Sequence, residues 1–420
     1  MRYTYQHPDF DAPALRAAPL TRFAPCPADG VAPGGYHATS IFPEYLHVEQ
    51  GRWVLLERSR MDCVIRQNPD GTLEVVEFRR LKAGDLVALG RGEHAEEGIL
   101  VHPAGFSASA PDEETGPDAT PRAPTSPPCG RCGDASVPAS AVPPGSPAST
   151  QEQPFAFRTG ISRETSFSID YDTLYEILRH DRENGFIVWV AGPAVVFDAD
   201  ARNAFASLVE QGYVHALLAG NALATHDMEG ALYGTALGQG IYHKRQAPMG
   251  HYHHLDCINA VREAGGIAAA VRSGLIRDGV MHAVVKYGVP FVLAGSIRDD
   301  GPLPDVIPDV YDAQDAMRQL VSRATTVVAL ATQLHTIATG NMTPSYQVLE
   351  DGGVRPVHFF VVDMSEFAAG KLADRGSLSA RAILTNVQDF VVNVTRALSP
   401  SKPLPRTQEN ACPKGAEPAK

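Results

Sequence analysis

FIVWVAGPAVVFDADARNAFASLVEQGYVHALLAGNALATHDMEG, residues 186–230, is the stretch on which the fold turns. It opens with five apolar residues in a row, as expected of a strand buried on both faces of a parallel sheet. Residues 199–211 then repeat apolar side chains at helical spacing and stop at Gly212. A second apolar run, 214–219, leads into a second helical pattern over 221–236. The cycle recurs downstream: strand 290–294 with helix 312–323, strand 327–331, strand 357–362 with helix 365–374, and strand 382–384 with helix 387–398. Such alternation predicts an α/β, Rossmann-like, doubly wound parallel sheet. Between the second and third units, residues 250–288 read as a helical insertion of three helices, 252–264, 267–273 and 280–287.

Upstream the pattern is different. Short runs with β character at 45–48, 53–57, 63–66, 73–78, 86–89 and 99–101 are separated by turn signals such as Pro69-Asp70-Gly71. They predict a small β-rich domain over 1–106 that packs on, or caps, the larger one. Residues 107–154 are dominated by Pro, Ser and Ala, contain no aromatic residue before Phe155, and read as a disordered linker. The α/β domain then occupies 155–399, and 400–420 read as a flexible tail.

The formal net charge of -12 and a hydrophobic share of 44% fit a globular protein and disfavour a nucleic-acid partner, which wants a basic face. No apolar run reaches the ~18 residues that span a bilayer. Six cysteines scattered over 420 residues are unlike a secreted disulfide framework, so reduced thiols and a cytoplasmic location are expected. Cys129 and Cys132 have CxxC spacing but no further ligands close by, and they read as part of the linker.

In a doubly wound sheet the ligand lies beyond the carboxyl ends of the strands. Those places are rich in glycine and polar residues here: Ala191-Gly192-Pro193, Gly220-Asn221-Ala222, Arg298-Asp299-Asp300, Thr332-Gln333-Leu334-His335, Asp363 and Thr385-Asn386. There is no GxGxxG, but Gly220-Asn221-Ala222 puts small residues where a strand becomes a helix, so backbone amides can approach a phosphate. Asp363 closes a strand, the position from which a carboxylate accepts hydrogen bonds from a ribose diol. His226 beside Asp227, together with His253 and His254, offers a proton-transfer set or a polar wall; nothing in HYHH at 251–254 gives an i, i+4 pair with a third ligand, and no metal is expected. Arg298 is suited to a substrate carboxylate.

Together these stretches resemble one family, the archaeal-type ornithine cyclodeaminases, also described as the LOR/SDH (lysine-oxoglutarate reductase/saccharopine dehydrogenase) conserved region. The resemblance is carried by AGPAVV (191–196), GYVHALLAGNALATHDMEGALYGTALG (212–238), GHYHHLDCINAVREAG (250–265), VPFVLAGSIRDDGPLPDVIPDVYDAQDAMR (289–318), ATQLHTIATGNMTPSY (331–346) and DMSEFAAGKLADRGS (363–377). Residues 24–65 look like the family's β-rich subdomain. The resemblance implies NAD as cofactor, held by Asn221, Ala222, Asp300, Thr332, Gln333, Leu334, His335, Asp363, Thr385 and Asn386; Asn386 stands where the family usually has Asp. It also implies conversion of ornithine to proline with release of ammonia. For that reaction Asp227, His226 and His254 are the expected proton-transfer residues, with Arg298 and His253 binding the amino-acid substrate, in an expected homo-oligomer without membrane or nucleic-acid partners. Two other functions stay open at this point: another NAD-dependent amino-acid oxidoreductase of opine or saccharopine type, and a non-catalytic protein that binds NAD or an amino acid.

Overall fold

Short strands separated by turns build the N-terminal part, as its alternation of apolar and polar residues requires. The structure is a computed structural model that describes residues 3–108, 168–299, 301–365 and 379–399. In chain order the first part consists of β1 (Tyr3–Tyr5), α1 (Pro13–Arg16), β2 (Arg22–Pro25), β3 (Glu44–Glu49), β4 (Arg52–Leu55), β5 (Val64–Gln67), β6 (Leu73–Val76), β7 (Leu86–Leu89), β8 (Ile99–Val101) and β9 (Phe106–Ala108). One sheet runs β2-β7-β5-β6, a second β4-β3-β8, and β1 pairs antiparallel with β9. Leu46, Ile65, Ala88 and Ile99 meet in the core between the two sheets. The strand expected over 73–78 stops at Val76, because Phe78–Arg80 wind into a 3₁₀ turn. Strands β1, β2 and β9 were not anticipated, and β9 carries the β-rich part to Ala108, past the expected boundary at 106. The remainder of the expected linker and the C-terminal tail lie outside the described residues.

The second part begins with α2 (Ser168–Asn184) and continues with β10 (Ile187–Ala191), α3 (Ala199–Glu210), β11 (Ala216–Gly220), α4 (Asn221–Tyr233), β12 (Thr235–Ala236) and β13 (Gln239–Gly240). The helical insertion follows as α5 (His253–Ala264), α6 (Ile267–Arg272) and α7 (Val280–Lys286), in agreement with the sequence. Then come β14 (Phe291–Ala294), β15 (Val306–Ile307), α8 (Val310–Val321), β16 (Thr326–Leu330), α9 (Gln333–Met342), the hairpin β17 (Tyr346–Val348) and β18 (Val354–Pro356), β19 (His358–Asp363), β20 (Ala380–Leu384) and α10 (Val387–Leu398). Seven strands form one parallel sheet in the order β15-β14-β11-β10-β16-β19-β20. The order reverses between β10 and β16, which makes that crevice the switch point where a ligand is expected.

Every residue of β10 is buried, as is every residue of β16, which is why their sequences read as unbroken apolar runs. Trp189 fills the layer under the sheet and donates its indole N–H to the Tyr213 carbonyl at 2.8 Å. Helices α2 and α9 were missed, and the helix expected over 365–374 lies outside the described residues beyond Ser365. The two parts meet through a buried hydrogen bond from Tyr346 to the Leu56 carbonyl and through ion pairs from Arg79 and Arg80 to Asp315 of α8.

Candidate functional site at the sheet switch point

Gly192 and Ala331 close β10 and β16 on either side of the crevice. A Cβ on Gly192 would lie 2.2 Å from the Ala331 carbonyl oxygen, so only glycine lets the two strand ends run together. Ala331 itself takes a positive φ of 46°, unusual for a side-chain-bearing residue and placed at the mouth of the sheet.

Five described helices follow strands of this sheet, and their N-termini fall into two kinds. Helices α3, α8 and α10 are capped by their own side chains, Asp198, Asp309 and Asn386, and carry Asp200, Asp312 and Asp389 in their first turns. Helices α4 and α9 begin at Gly220 and Thr332 with no side-chain cap and no acid in the first turn. These two flank β10. Their first-turn amides and dipoles are the ones left for an anion, such as a dinucleotide's phosphates. His335 lies between them, close enough to Gly220 that a Cβ there would meet its Cε1 at 2.9 Å. Burial holds the His335 imidazole below its ordinary pKa, against the pull of Asp299.

On the far side of the switch point a cavity of about 250 Å³ is lined by Ala194, Ala331, Asp363, Met364, Asn386, Val387 and Gln388. Asp363 Oδ1 accepts from the Ser365 amide at 2.8 Å, and Asn386 Oδ1 from the Gln388 amide at 2.8 Å. The Thr385 amide donates to the Asp363 carbonyl, which ties the ends of β19 and β20 together.

A second group of polar residues gathers on α4 behind its open N-terminus. His226, 7% exposed, lies with its Nδ1 2.9 Å from Oε2 of Glu229, which is fully buried. Phe197 packs edge-on against the His226 ring, and His254 of α5 has its ring centroid 6.2 Å away. His254 Nδ1 is buried without a hydrogen-bond partner among the described residues. His253 stacks on Tyr233 and bonds Thr235 Oγ1 at 2.8 Å, which links it to the same carboxylate. Glu229 was missed in the sequence; its spacing of three from His226 on a helix is the signal that could have found it.

Asp227 does not join this group. It is fully buried, and its carboxylate accepts from Arg202 Nε at 2.7 Å and from the amides of Val280 and Met281 at 2.9 and 2.7 Å. It therefore caps α7 and neutralises a buried arginine, which ties the helical insertion to α3 and α4 and corrects the expectation of a proton-transfer carboxylate. Asn221 Oδ1 is likewise engaged, accepting from the Leu303 amide and the Thr225 hydroxyl, which leaves its backbone amide and its Nδ2 as the donors for a ligand. Arg298 is exposed in the loop after β14, where its guanidinium makes no ion pair among the described residues. Asp300 lies outside the described residues.

The profile of the family described as "Arginine dihydrolase ArgZ-like, C-terminal, Rossmann fold" matches residues 173–394. A protein of Methanopyrus kandleri named ornithine cyclodeaminase is 36% identical over 378 residues, which cover 90% of this chain and 78% of that one. Among solved structures, a conserved putative LOR/SDH protein from Methanococcus maripaludis superposes with a TM-score of 0.70 at 32% identity, covering 91% of this chain and 98% of its own. The ternary complex of AgrE with ornithine and NAD+ superposes with a TM-score of 0.51 at 31% identity, covering 91% of this chain and 46% of that longer protein.

Proposed function

The chain belongs to the ornithine cyclodeaminase family, and we propose that it converts L-ornithine to L-proline and ammonia with a bound NAD that is not consumed. One observation carries the reading: α4 presents an uncapped N-terminus to the switch point and, one turn further on, a buried histidine–carboxylate pair. A site for a dinucleotide phosphate and a group able to take a proton from an amine thus sit on one rigid element.

The residues fit the cofactor. The first-turn amides of α4 and α9 would hold its phosphates and Asp363, which lines the cavity beside Asn386 together with Ala331, would accept from the ribose diol. When bound, NAD+ supplies a reversible hydride loan at the substrate's α-carbon. The chain's own residues supply the rest: Arg298 pairs with the substrate carboxylate, His226 accepts an amine proton at Nε2, and His254 and Phe197 wall the pocket beside it. The ornithine cation becomes zwitterionic proline and an ammonium ion, so atoms and charge balance without an external oxidant, as befits an ammonia lyase.

Incubation with ornithine and substoichiometric NAD+ should yield proline and ammonia in excess of the NAD+ present while NADH absorbance stays flat. Steady accumulation of NADH would move the assignment to an opine- or saccharopine-type oxidoreductase, and binding without turnover to a non-catalytic protein. NADP+ should stabilise the protein less than NAD+ in a thermal-shift titration, because Asp363 repels a 2′-phosphate.

The same reading includes a homo-oligomer in the cytoplasm. Tyr233, Leu237, Tyr242, Met249, Tyr252 and Leu255 are 42–73% exposed around the hairpin and α5, an apolar surface suited to a second copy. A monomeric mass by light scattering would remove the oligomer. Cys26, Cys63 and Cys257 are free, buried thiols, and among the described residues no helix is long and apolar enough to cross a membrane.

A further inference from the structure

We propose that Glu229 is a positioning residue that serves two bases at once, setting His226 directly and His253 through Thr235, so that each of the two ammonium groups of the substrate has its own proton acceptor. The inference rests on the ornithine reading above. It begins from the donors around one carboxylate. Oε2 accepts from His226 Nδ1 at 2.9 Å and from the Leu237 amide at 3.0 Å. Oε1 accepts from the Thr235 hydroxyl at 2.8 Å and from the Gly238 amide at 2.8 Å. A carboxylate has about four acceptor sites, and here all are filled by donors. Burial alone would push the Glu229 carboxyl up, but His226, the Gly238 amide and Thr235 hold it below its ordinary range.

The tautomers follow from counting protons. An ionised carboxylate can only accept, so the proton between it and His226 belongs to Nδ1, and the basic lone pair of that ring is on Nε2. Thr235 has one hydroxyl proton and gives it to Oε1. Its oxygen, 2.8 Å from His253 Nδ1, must then accept, which puts the His253 proton on Nδ1 as well. Both rings therefore present an unprotonated Nε2, and neither Nε2 has a hydrogen-bond partner among the described residues. The backbone keeps this wiring in place, because Gly238 and Gly250 pass so closely that a Cβ on either would sit 2.5 Å from the other's backbone.

The reaction asks for two such acceptors. The α-ammonium must lose a proton before its carbon can give up hydride, and the δ-ammonium must lose one before its nitrogen can form the ring bond. Both protons return, one to the ring nitrogen of proline and one to the departing ammonia. Among the described residues, the titratable groups near the two rings include His254, Asp256, Tyr233, which stacks on His253, and Cys257, whose thiol is pushed up to about 12 by burial and by the Glu229 and Asp227 carboxylates.

Thr235→Val separates the claim from simple packing, since it removes the link to His253 and keeps the His226–Glu229 contact. We expect kcat to fall ~10²-fold with KM for ornithine changed by less than ~3-fold, the acid limb of the pH–rate profile to move to lower pH, and Thr235→Ser to restore both. NAD+ binding, followed by fluorescence titration, should be the same in all three proteins. Thr235→Val with the wild-type rate and pH profile would overturn the proposal, as would a loss of rate and of NAD+ binding together with the profile unmoved. Selective ¹⁵N labelling of histidine reads the wiring independently of turnover. His226 or His253 found as the Nε2–H tautomer in the resting protein rejects the wiring, whereas Nδ1–H on both rings with no proline formed rejects only the ornithine reading.

Discussion

Asp227 and Glu229 are two positions apart on α4 and have opposite duties. On a helix, neighbours two apart face different sides. Asp227 turns toward Arg202 and the N-terminus of α7, while Glu229 turns toward His226 and the hairpin β12–β13. The sequence placed His226, His253 and His254 in one neighbourhood, and the spacing of three that puts Glu229 on the face of His226 went unread; that Asp227 turns away from them follows from the side on which the helical insertion packs. Asp227→Asn should therefore act on stability before it acts on chemistry. Arg202 is 3% exposed and would keep Asp278, an exposed carboxylate, as its one ionic partner beside the carbonyls of residues 227 and 278, so the loss should be about 3 kcal/mol, the scale for a broken buried pair. Denaturant unfolding measures it. The folded fraction should retain kcat within ~10-fold of wild type, whereas a full ~10²–10⁴-fold loss in a protein of unchanged stability would return Asp227 to the catalytic set.

At the scale of elements, the βα alternation was readable because buried parallel strands leave unbroken apolar runs, and the ends of β10, β11, β14, β16 and β19 fall within a residue or two of where those runs predicted them. Helix α9 was missed: Thr332 is of the capping type, but no acid follows it in the first turn, and in the structure its hydroxyl caps no backbone amide. The same omission is what leaves its N-terminus open to an anion, so the feature that hid the helix is the one that suits it to a cofactor. Thr332→Asp tests this trade. A carboxylate at the cap should stabilise the ligand-free protein by ~0.5–1 kcal/mol, seen as a raised Tm, and should weaken NAD+ binding at least ~10-fold by placing like charges together. Tighter NAD+ binding in that variant would show that the cofactor phosphates lie elsewhere.

At the scale of the whole molecule, composition and turn signals separated a β-rich part from an α/β part but said nothing of how they join, since the joining residues are charges far apart in sequence. Glu77 of the first part pairs with Arg60 and Arg80 of its own domain and lies 2.7 Å from Arg318 of α8; Asp315 of α8 reaches back to Arg79 and Arg80. These two carboxylates should not matter equally. Arg60, with a side chain only 8% exposed, has Glu77 as its one carboxylate partner among the described residues, so removing Glu77 strands a desolvated cation at the seam; Arg318, 16% exposed, pairs with both carboxylates and keeps one in either variant, and the other partners of Asp315, Arg79 and Arg80, are 30% and 46% exposed, where water can take over. Glu77→Ala should cost about 3 kcal/mol and Asp315→Ala about 1 kcal/mol or less, by denaturant unfolding at pH 7. Burial works to raise the Glu77 carboxyl, but Arg60 and Arg318 hold it below the ordinary value of about 4.3. A depressed carboxyl stabilises the fold above its unfolded-state pKa and loses that contribution as pH falls through the folded-state one. The gap between wild type and Glu77→Ala should accordingly be full at pH 7 and close progressively below about pH 4.3. A gap that stays constant down to pH 3 would mean that Glu77 holds the two parts together by packing rather than by charge.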